Sequence, residues 1–517
     1  MRTRRAVRGG AGALAAAALV IVLAPMASAL DEEYHDMQET YDAMLAAATS
    51  YPSICRMDTL GYSTEDGLPI WSLKMSDNVN TDEDEPVVLY NGVHHADEVL
   101  GLEVCLYMID ELAAAYGVDS TMTAWIDDQE IWFIPLLNPE GHGIVTSETD
   151  TIWRKNKRDN NENGGWDIED GVDLNRNYDF NWEQGGSDIW ESEYYRGPYA
   201  FSETECQLMR DFCLAHKPVF AMNYHSPRSS QGDLLYYPWY WVGEGFSTDH
   251  FTIYDIASEV CARTFNEAGQ NFIAYYGYAD KGNAKNWQYG VVGTIGLTME
   301  ILSEQCQPVG SRVDTICRLV STGSYYLLER TYGPGITGHV TDAATRQPIV
   351  AEVNVVENHS DLVVPRTTDP VYGRYWRLLV PETYTVEFSA FGYDTQVFEN
   401  VVVESTGLTV LDCEMSAWTG MPDGLIDEPR IVDVSPNPSR GPTRVSFVAP
   451  PGAPVAVEIY SVAGKLVATA DAEVDGSRGT ASWDGLTAGG RPVASGVYFA
   501  RLVGSAPADQ AKIVLVR

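Results

Sequence analysis

The chain has 517 residues, more than one ordinary core holds and enough for roughly two to four domains. Its formal net charge of −39 argues against nucleic acid as a partner, because phosphate is repelled by such a surface. The acidity reads as the solubilising surface of an exported protein, with calcium binding or salt tolerance as functional alternatives.

The N-terminus has the pattern of a secretory signal peptide over residues 1–29. Arg2, Arg4, Arg5 and Arg8 precede an apolar run from Gly12 to Leu23, and Ala27-Ser28-Ala29 supplies a small-residue cleavage site. That run is shorter than the roughly 20 residues of a membrane span, and no later stretch is long and apolar enough for a transmembrane segment. The mature protein is expected to begin near Leu30 and to be secreted, to the periplasm or beyond. Eight cysteines in an exported chain permit disulfides. Cys206 and Cys213 stand too far apart along a predicted helix to bridge each other, and Cys306 with Cys317 is the better pair.

From Leu30 to Tyr332 helical and strand patterns alternate. A helix is predicted from Glu32 to Ala48, then a hairpin-like pair, Cys55–Tyr62 and Leu68–Ser76. Val87 to Tyr90 reads as a buried strand, and Leu102, Cys105, Leu106, Ile109 and Leu112 carry helical spacing after it. Between them stands His95-x-x-Glu98, an imidazole and a carboxylate that can converge on one cation at a turning backbone. A catalytic zinc needs a third protein ligand and an open position, so this pair alone is a weak signal. Further strands are predicted at Gln129–Leu137, followed by the turn signal Asn138-Pro139-Glu140-Gly141, at Pro218–Tyr224 closing on His225, and at Thr294–Met299 closing on Glu300. Helices are expected at Glu203–Ala215 and Tyr254–Ala268. This alternation predicts an α/β fold, a mixed sheet of the eight-stranded type sandwiched by helices. His95, His225 and Glu300 each fall at or just past the C-terminal end of a strand, where open α/β sheets bind ligands.

With these residues in view the segment resembles the zinc metallocarboxypeptidases, and is most similar to the bacterial carboxypeptidase T group. The resemblance runs from about Tyr34 to Leu302. Its motifs are Ser76-Asp77-Asn78-Val79, His94-His95-x-x-Glu98, Trp153-Arg154-Lys155-Asn156, Gly171-Val172-Asp173-Leu174-Asn175-Arg176-Asn177, Tyr224-His225-Ser226, Tyr278 nine residues before Trp287, and Thr298-Met299-Glu300. It implies one zinc ion on His95, Glu98 and His225, with Glu300 as general base and Arg154 stabilising the oxyanion. It implies Asn175 and Arg176 on the terminal carboxylate of a peptide or protein substrate, assisted by Tyr278, with Thr298 also lining the substrate site. Asp173 would back His95. Lys285, seven residues after Tyr278, would stand at the base of the side-chain pocket and favour an acidic C-terminal residue; the alternative has it facing solvent or paired with Asp280.

The chemistry supports these roles independently. Zinc brings the pKa of a bound water towards 7, a carboxylate can take and return its proton, and a fixed guanidinium suits a negative oxygen. Arginine pairs bidentately with carboxylates, and a ligand histidine usually donates its other nitrogen to an acid. The chain departs from the pattern at Asp97, where arginine is common and outer-subsite contacts would differ. It departs again at Pro227, where the aromatic residue two after His225 is missing. Pro227 to Asp233 is expected to be a rebuilt loop, with Arg228 facing substrate. Two rival readings are cleavage of cell-wall peptides ending in diaminopimelate, and a surface-binding protein with an inactive enzyme domain.

Asp159-x-Asn161-x-Asn163-Gly164, with Asp167 and Asp170, has a calcium-like spacing, but no helices flank it and a solvated turn is the favoured reading. The Asp82-Glu83-Asp84-Glu85 run likewise reads as a solvated loop, with calcium as the alternative. Residues 333–417 alternate strands (Gly335–Val340, Ala351–Val356, Tyr375–Val380, Tyr384–Ala390, Leu408–Met415) with turns, which predicts a β-sandwich. Ile336-Thr337-Gly338-His339-Val340-Thr341-Asp342 and Phe391-Gly392-Tyr393 resemble the transthyretin-like regulatory domain that follows some carboxypeptidases. Residues 418–430 form a Gly/Pro/Asp-rich linker, and 431–517 a second β unit. Its motifs Ser435-Pro436-Asn437-Pro438, Val457-Glu458-Ile459-Tyr460, Ser482-Trp483-Asp484-Gly485 and Gly496-Val497-Tyr498 resemble the Ig-like domain of the hook-capping protein and type IX sorting domains. That likeness implies contact with export machinery or the cell surface.

Overall fold

The computed structural model describes residues 34–227, 232–277, 281–302, 307–417 without 361 and 391, and 429–515 without 438, 440–441, 451–454, 462–463, 471, 476–477, 492, 494–495 and 504–509. The chain opens with α1 (Met37–Ser50), β1 (Cys55–Tyr62), β2 (Pro69–Met75), β3 (Val87–Asn91), α2 (Leu100–Ala115), α3 (Ser120–Asp127), β4 (Glu130–Ile134) and α4 (Pro139–Thr146). After a long irregular stretch come α5 (Thr204–His216), β5 (Phe220–His225), β6 (Leu234–Tyr237), the small hairpin of β7 (Tyr240–Trp241) and β8 (Gly245–Phe246), and α6 (His250–Arg263). Next follow β9 (Ile273–Tyr276), α7 (Ala284–Trp287), β10 (Ile295–Glu300) and α8 (Val313–Arg330).

Eight of these strands form one sheet in the order β1-β2-β4-β3-β5-β10-β6-β9. The four central strands, β4, β3, β5 and β10, run parallel, and antiparallel pairs flank them at β2–β4 and β10–β6. Parallel strands are buried on both faces, which is why β3 is apolar from Val87 to Tyr90. Val88 and Tyr90 enter one core with Leu102, Cys105, Ile109 and Leu112 of α2 and Val320 and Leu327 of α8. Val87 and Leu89 point the other way, into a second core with Cys206, Met209 and Phe212 of α5. Each fully buried side chain of this size contributes about 1.5–3 kcal/mol, so the two-sided pattern holds the register of the strand that leads to His95.

Several expectations are corrected. The first helix begins at Met37, not Glu32, because Asp36 and Glu39 form a reciprocal capping box there. Asn138-Pro139 opens α4 rather than a turn: Asn138 Oδ1 accepts from Gly141 N at 3.0 Å and Pro139 occupies the first turn, where its missing N–H costs nothing. The helix expected at Tyr254–Ala268 runs from His250 to Arg263. Cys317 is a free thiol rather than half of a disulfide, and all seven described cysteines are buried; Cys306 lies outside the described residues.

Residues 335–415 form two small sheets, Arg374–Leu378 with Gly335–Asp342, Leu408–Val410 and Cys413–Met415, and Glu352–Val355 with Thr383–Ser389 and Gln396–Val402. Their facing sides share a core of Ile336, Val353, Tyr375, Val386 and Phe388. The acidic run 82–85 is not merely a solvated loop. Asp84 accepts two bonds from Arg374, at 2.8 Å each, and lies 2.7 Å from His339 Nε2, tying this unit to the first. The last unit packs two four-stranded sheets around Val445, Phe447, Ile459, Leu502 and Ile513. Trp483 closes that core, its ring 5.1 Å from Tyr498 and its indole N–H bonded to Leu486 O at 2.8 Å. Among the described residues no helix is long and apolar enough to cross a membrane.

Candidate active site

The loop from β3 to α2 carries the first two candidate ligands. It turns through Val93 at φ 54°, a left-handed conformation that a β-branched residue adopts only under constraint from its surroundings. Gly92 just before it lies so close to the first turn of α2 that a Cβ would fall 2.6 Å from the carbonyl carbon of Gly101. Asn138 Nδ2 bonds His94 O at 3.2 Å and fixes the loop from the side.

The third candidate, His225, ends β5, next to β3 in the sheet, and the geometry converges. His95 Nδ1 lies 2.9 Å from Glu98 Oε1, His225 Nδ1 2.7 Å from Glu98 Oε2, and the two Nδ1 atoms 3.0 Å apart. All three residues are buried. Burial raises the Glu98 pKa, yet His95 and His225 together hold its carboxyl well below the usual range. Burial also lowers the His225 pKa, so its ring favours the neutral form that a metal requires. Tetrahedral zinc with nitrogen bonds near 2.0–2.1 Å separates its ligand atoms by roughly 3.3 Å. The donor set therefore fits zinc, with two imidazole nitrogens and a carboxylate facing one point.

Around this point the supporting residues interlock. His95 Nε2 lies 3.1 Å from Asp173 Oδ1, which leaves Nδ1 to face the other candidate ligands. Arg154 donates Nε and Nη2 to Asp173 Oδ2 at 3.1 and 3.0 Å and Nη1 to Glu98 Oε1 at 3.3 Å. Burial lowers the Arg154 pKa, but Asp173, Glu98 and Asp97 outweigh it and hold the guanidinium charged. Asp97 is itself buried rather than open to an outer subsite. Asn175 Nδ2 sits 3.2 Å from His225 Nε2, and Asn175 Oδ1 accepts from Ala284 N at 3.0 Å. Arg176 Nη1 donates to Asn175 O at 2.7 Å.

Glu300 ends β10, which pairs in parallel with β5 so that Glu300 stands directly opposite His225, and Ile301 N bonds His225 O at 2.8 Å. Thr298, two residues earlier, shares its face of the sheet. Lys285 is only 2 % exposed, so the solvent-facing alternative is excluded. It sits beneath the sheet because Gly296 has no side chain: a Cβ there would fall 2.9 Å from Lys285 Cα. Tyr278, Asp280 and Arg228 lie outside the described residues. The 159–170 loop closes on itself, Asp159 accepting from Asn163 N and Gly164 N at 3.2 and 2.8 Å and Asp167 from the side chains of Asn161 and Asn163. His94, quoted in the motif above without a role, has its ring 5.5 Å from that of His225 and its Nε2 2.9 Å from the Tyr178 hydroxyl.

The zinc carboxypeptidase family model matches residues 40–317, more than half of the chain. The chain belongs to the zinc carboxypeptidase family. A second model, for the carboxypeptidase regulatory-like domain, matches residues 335–416. The zinc carboxypeptidase of Saccharothrix mutabilis subsp. capreolus is 36% identical over 151 residues, 29% of this chain and 33% of that protein. Carboxypeptidase B of Astacus astacus is 29% identical over 220 residues, 42% of this chain and 66% of that one. The chain thus spans between a third and two thirds of the length of these curated relatives. The crystal structure of carboxypeptidase A from Helicoverpa armigera covers 57% of this chain and 73% of its own at 22% identity, with a TM-score of 0.51, a likeness of fold.

Behind the site of this carboxypeptidase-family chain lies a buried acidic cluster. Asn156, bonded to Val172 through both backbone and side chain, donates Nδ2 to Glu203 Oε2 at 2.8 Å. Glu205 beside it accepts from the Thr64 hydroxyl, and burial with the charge of Glu203 pushes its pKa up to about 8. The unfolded chain loses this proton near 4.5 and the folded chain keeps it until about 8. The contribution of Glu205 to stability therefore falls as pH rises through that window, by about 1.4 kcal/mol per pH unit. Glu205→Gln, which keeps the shape of the protonated side chain, is expected to flatten this dependence. Urea unfolding of both proteins at pH 5 and pH 8.5 measures it, and parallel profiles would contradict the assignment.

Proposed function

We propose that the protein is an exported zinc carboxypeptidase that removes single residues from the C-termini of peptides or proteins. The observation that carries this reading is the convergence of His95, Glu98 and His225 at the ends of two adjacent parallel strands, with Glu300 in register beside His225 on the third.

His95, Glu98 and His225 would hold the metal, and zinc when bound would supply the Lewis acidity that makes water nucleophilic near pH 7. Glu300 would take a proton from the attacking water and return it to the leaving amine. Arg154, kept charged among three carboxylates, meets the oxygen that becomes negative. Arg176 grips the terminal carboxylate. Asn175 adds a donor, because an amide nitrogen carries two hydrogens and the contact to His225 engages one. Tyr278 assists at the same carboxylate, and Asp173 orients both His95 and Arg154. The signal peptide at 1–29, the regulatory-like sandwich at 333–417 and an Ig-like display or sorting unit at 431–517 complete the proposed organisation. Within the family the motifs favour the carboxypeptidase T group.

The test is a panel of peptides incubated with the enzyme. Single C-terminal residues should be released, a chelator should stop the reaction, and C-terminally amidated peptides should resist it. Release of internal fragments, or cleavage confined to muropeptides, would overturn the reading. Lys285 supports a preference for acidic ends: it is buried, and the residue before it is bonded to Asn175. A hydrogen bond to a charged group is worth about 1.5–3 kcal/mol, which corresponds to roughly ten- to a hundredfold. Peptides ending in Glu should therefore exceed those ending in Leu or Arg by at least about tenfold in kcat/KM. Lys285→Met should level the series, and equal rates on all three peptides with the native enzyme would remove the idea.

A further inference from the structure

Tyr194 belongs to none of the motifs above, yet it touches two residues of the site. Its ring centroid lies 5.3 Å from the guanidinium carbon of Arg154 and 5.6 Å from that of Arg176. Both distances are within the roughly 6 Å over which a cation is attracted to an aromatic face. We propose that Tyr194 is a positioning residue: one ring holds the two arginines in place while leaving their N–H donors available. This rests on the carboxypeptidase reading, in which Arg154 serves the scissile carbonyl and Arg176 the terminal carboxylate.

The polar edges of the arginines are held unequally. Arg154 spends three donors on Asp173 and Glu98, whereas Arg176 makes a bond to Asn175 O. A contact to an aromatic ring uses no donor, so it restrains a guanidinium without competing with a carboxylate ligand. The price of ordering a long side chain is then met before substrate arrives.

The loop that carries Tyr194 is built to be still. Ser187 N bonds Tyr194 O at 2.8 Å, Arg196 N bonds Ser187 O at 3.1 Å, and Asp173 N bonds Tyr195 O at 2.8 Å. Lys155, next to Arg154, donates Nζ to Trp190 O at 2.6 Å. Gly186, at φ 58°, allows the close approach: a Cβ there would stand 2.8 Å from Tyr194 O and 3.2 Å from Arg176 Cβ. On this fixed backbone the Tyr194 side remains 49 % exposed. The ring is half-exposed, yet it stands within cation–π distance of both guanidiniums.

The experiment compares Tyr194→Leu and Tyr194→Phe with the native enzyme. It uses steady-state kinetics on one C-terminal peptide and the inhibition constant of the free amino acid product, whose carboxylate needs Arg176 but no chemistry. For Tyr194→Leu we expect kcat to fall and KM to rise, each by about three- to tenfold, and product inhibition to weaken by a similar factor. Tyr194→Phe, which keeps the aromatic face, should recover most of the loss. Phenylalanine would restore packing as well, so the thermal unfolding midpoint of Tyr194→Leu, expected to match that of the native enzyme, is the readout that separates positioning from a general structural defect. Kinetic constants and product inhibition for Tyr194→Leu equal to those of the native enzyme would overturn the proposal, and so would a Phe variant as impaired as Leu. A native enzyme that releases no C-terminal residue would instead overturn the carboxypeptidase reading itself.

Discussion

Glu300→Gln is expected to lower kcat by about a thousandfold while leaving one zinc per chain in place. The substitution preserves shape and hydrogen bonding but removes a group able to accept a proton near neutral pH. General-base catalysis contributes typically about 10²- to 10⁴-fold, which sets the expected size. The register of β10 against β5 is what makes the prediction specific. Glu300 is paired with His225 across two parallel strands, and the bond from Ile301 N to His225 O locks the two ends together. The register therefore fixes the Glu300 backbone beside that of His225. Steady-state kinetics and elemental analysis on the same preparation provide the check. A variant as active as the native protein would revive the rival reading, a surface-binding protein whose enzyme domain is inactive.

Much of this geometry was legible in the residue pattern, for a physical reason. The strands β5 and β10 are short, largely apolar runs that end at His225 and Glu300, and β3 ends at Asn91 with His95 just beyond it in the loop. Burial on both faces of a parallel sheet makes the run apolar, and the strand end is where a polar group first reaches an open crevice. His95, His225 and Glu300 were therefore marked by the same feature. Arg154, Asp173, Asn175 and Arg176 were reached differently, through likeness to a family, because they lie on irregular backbone between α4 and α5 that has no periodicity to read.

Where the pattern misled, two structures shared one signal. Asn138-Pro139 suits a turn and a helix start equally, since each tolerates a missing N–H and uses an asparagine oxygen as acceptor. The strand Gln396–Val402 was overlooked because its alternation is broken: Phe398 and Val401 both pack against the core but stand three residues apart, with Asn400 at φ 59° between them. Tyr194 illustrates the limit most clearly. Nothing in Glu193-Tyr194-Tyr195 separates one tyrosine from the next, and the difference arises only when the loop folds back: Tyr195 is buried while Tyr194 lies against two cations. The burial of Lys285 was equally invisible, for it depends on Gly296 in another element leaving room.

Removing a candidate ligand should have the largest effect of all. His225→Ala is expected to yield a folded chain that loses zinc on dialysis and has no measurable carboxypeptidase activity. The structure gives the reason in charge terms. Glu98 accepts from Ser226 N at 3.1 Å and faces both imidazoles, so it stays ionised whether or not a metal is present. Taking away His225 leaves this buried carboxylate with one imidazole and Arg154, two groups that cannot complete a three-ligand site. Asp173→Asn should be milder, because the ligand atoms remain and only the backing of His95 changes, and zinc affinity should weaken by about 10- to 100-fold. Affinity should also fall as the solution is acidified, since protonated imidazole cannot ligate and the His95 pKa, lowered by burial, is raised overall by Glu98 and Asp173. Competition titrations with a chromogenic chelator at pH 6 and pH 8 measure all three proteins on one scale. If His225→Ala kept stoichiometric zinc, the metal would have to rest on other residues, and the roles assigned to Glu300 and Arg154 would fall with it.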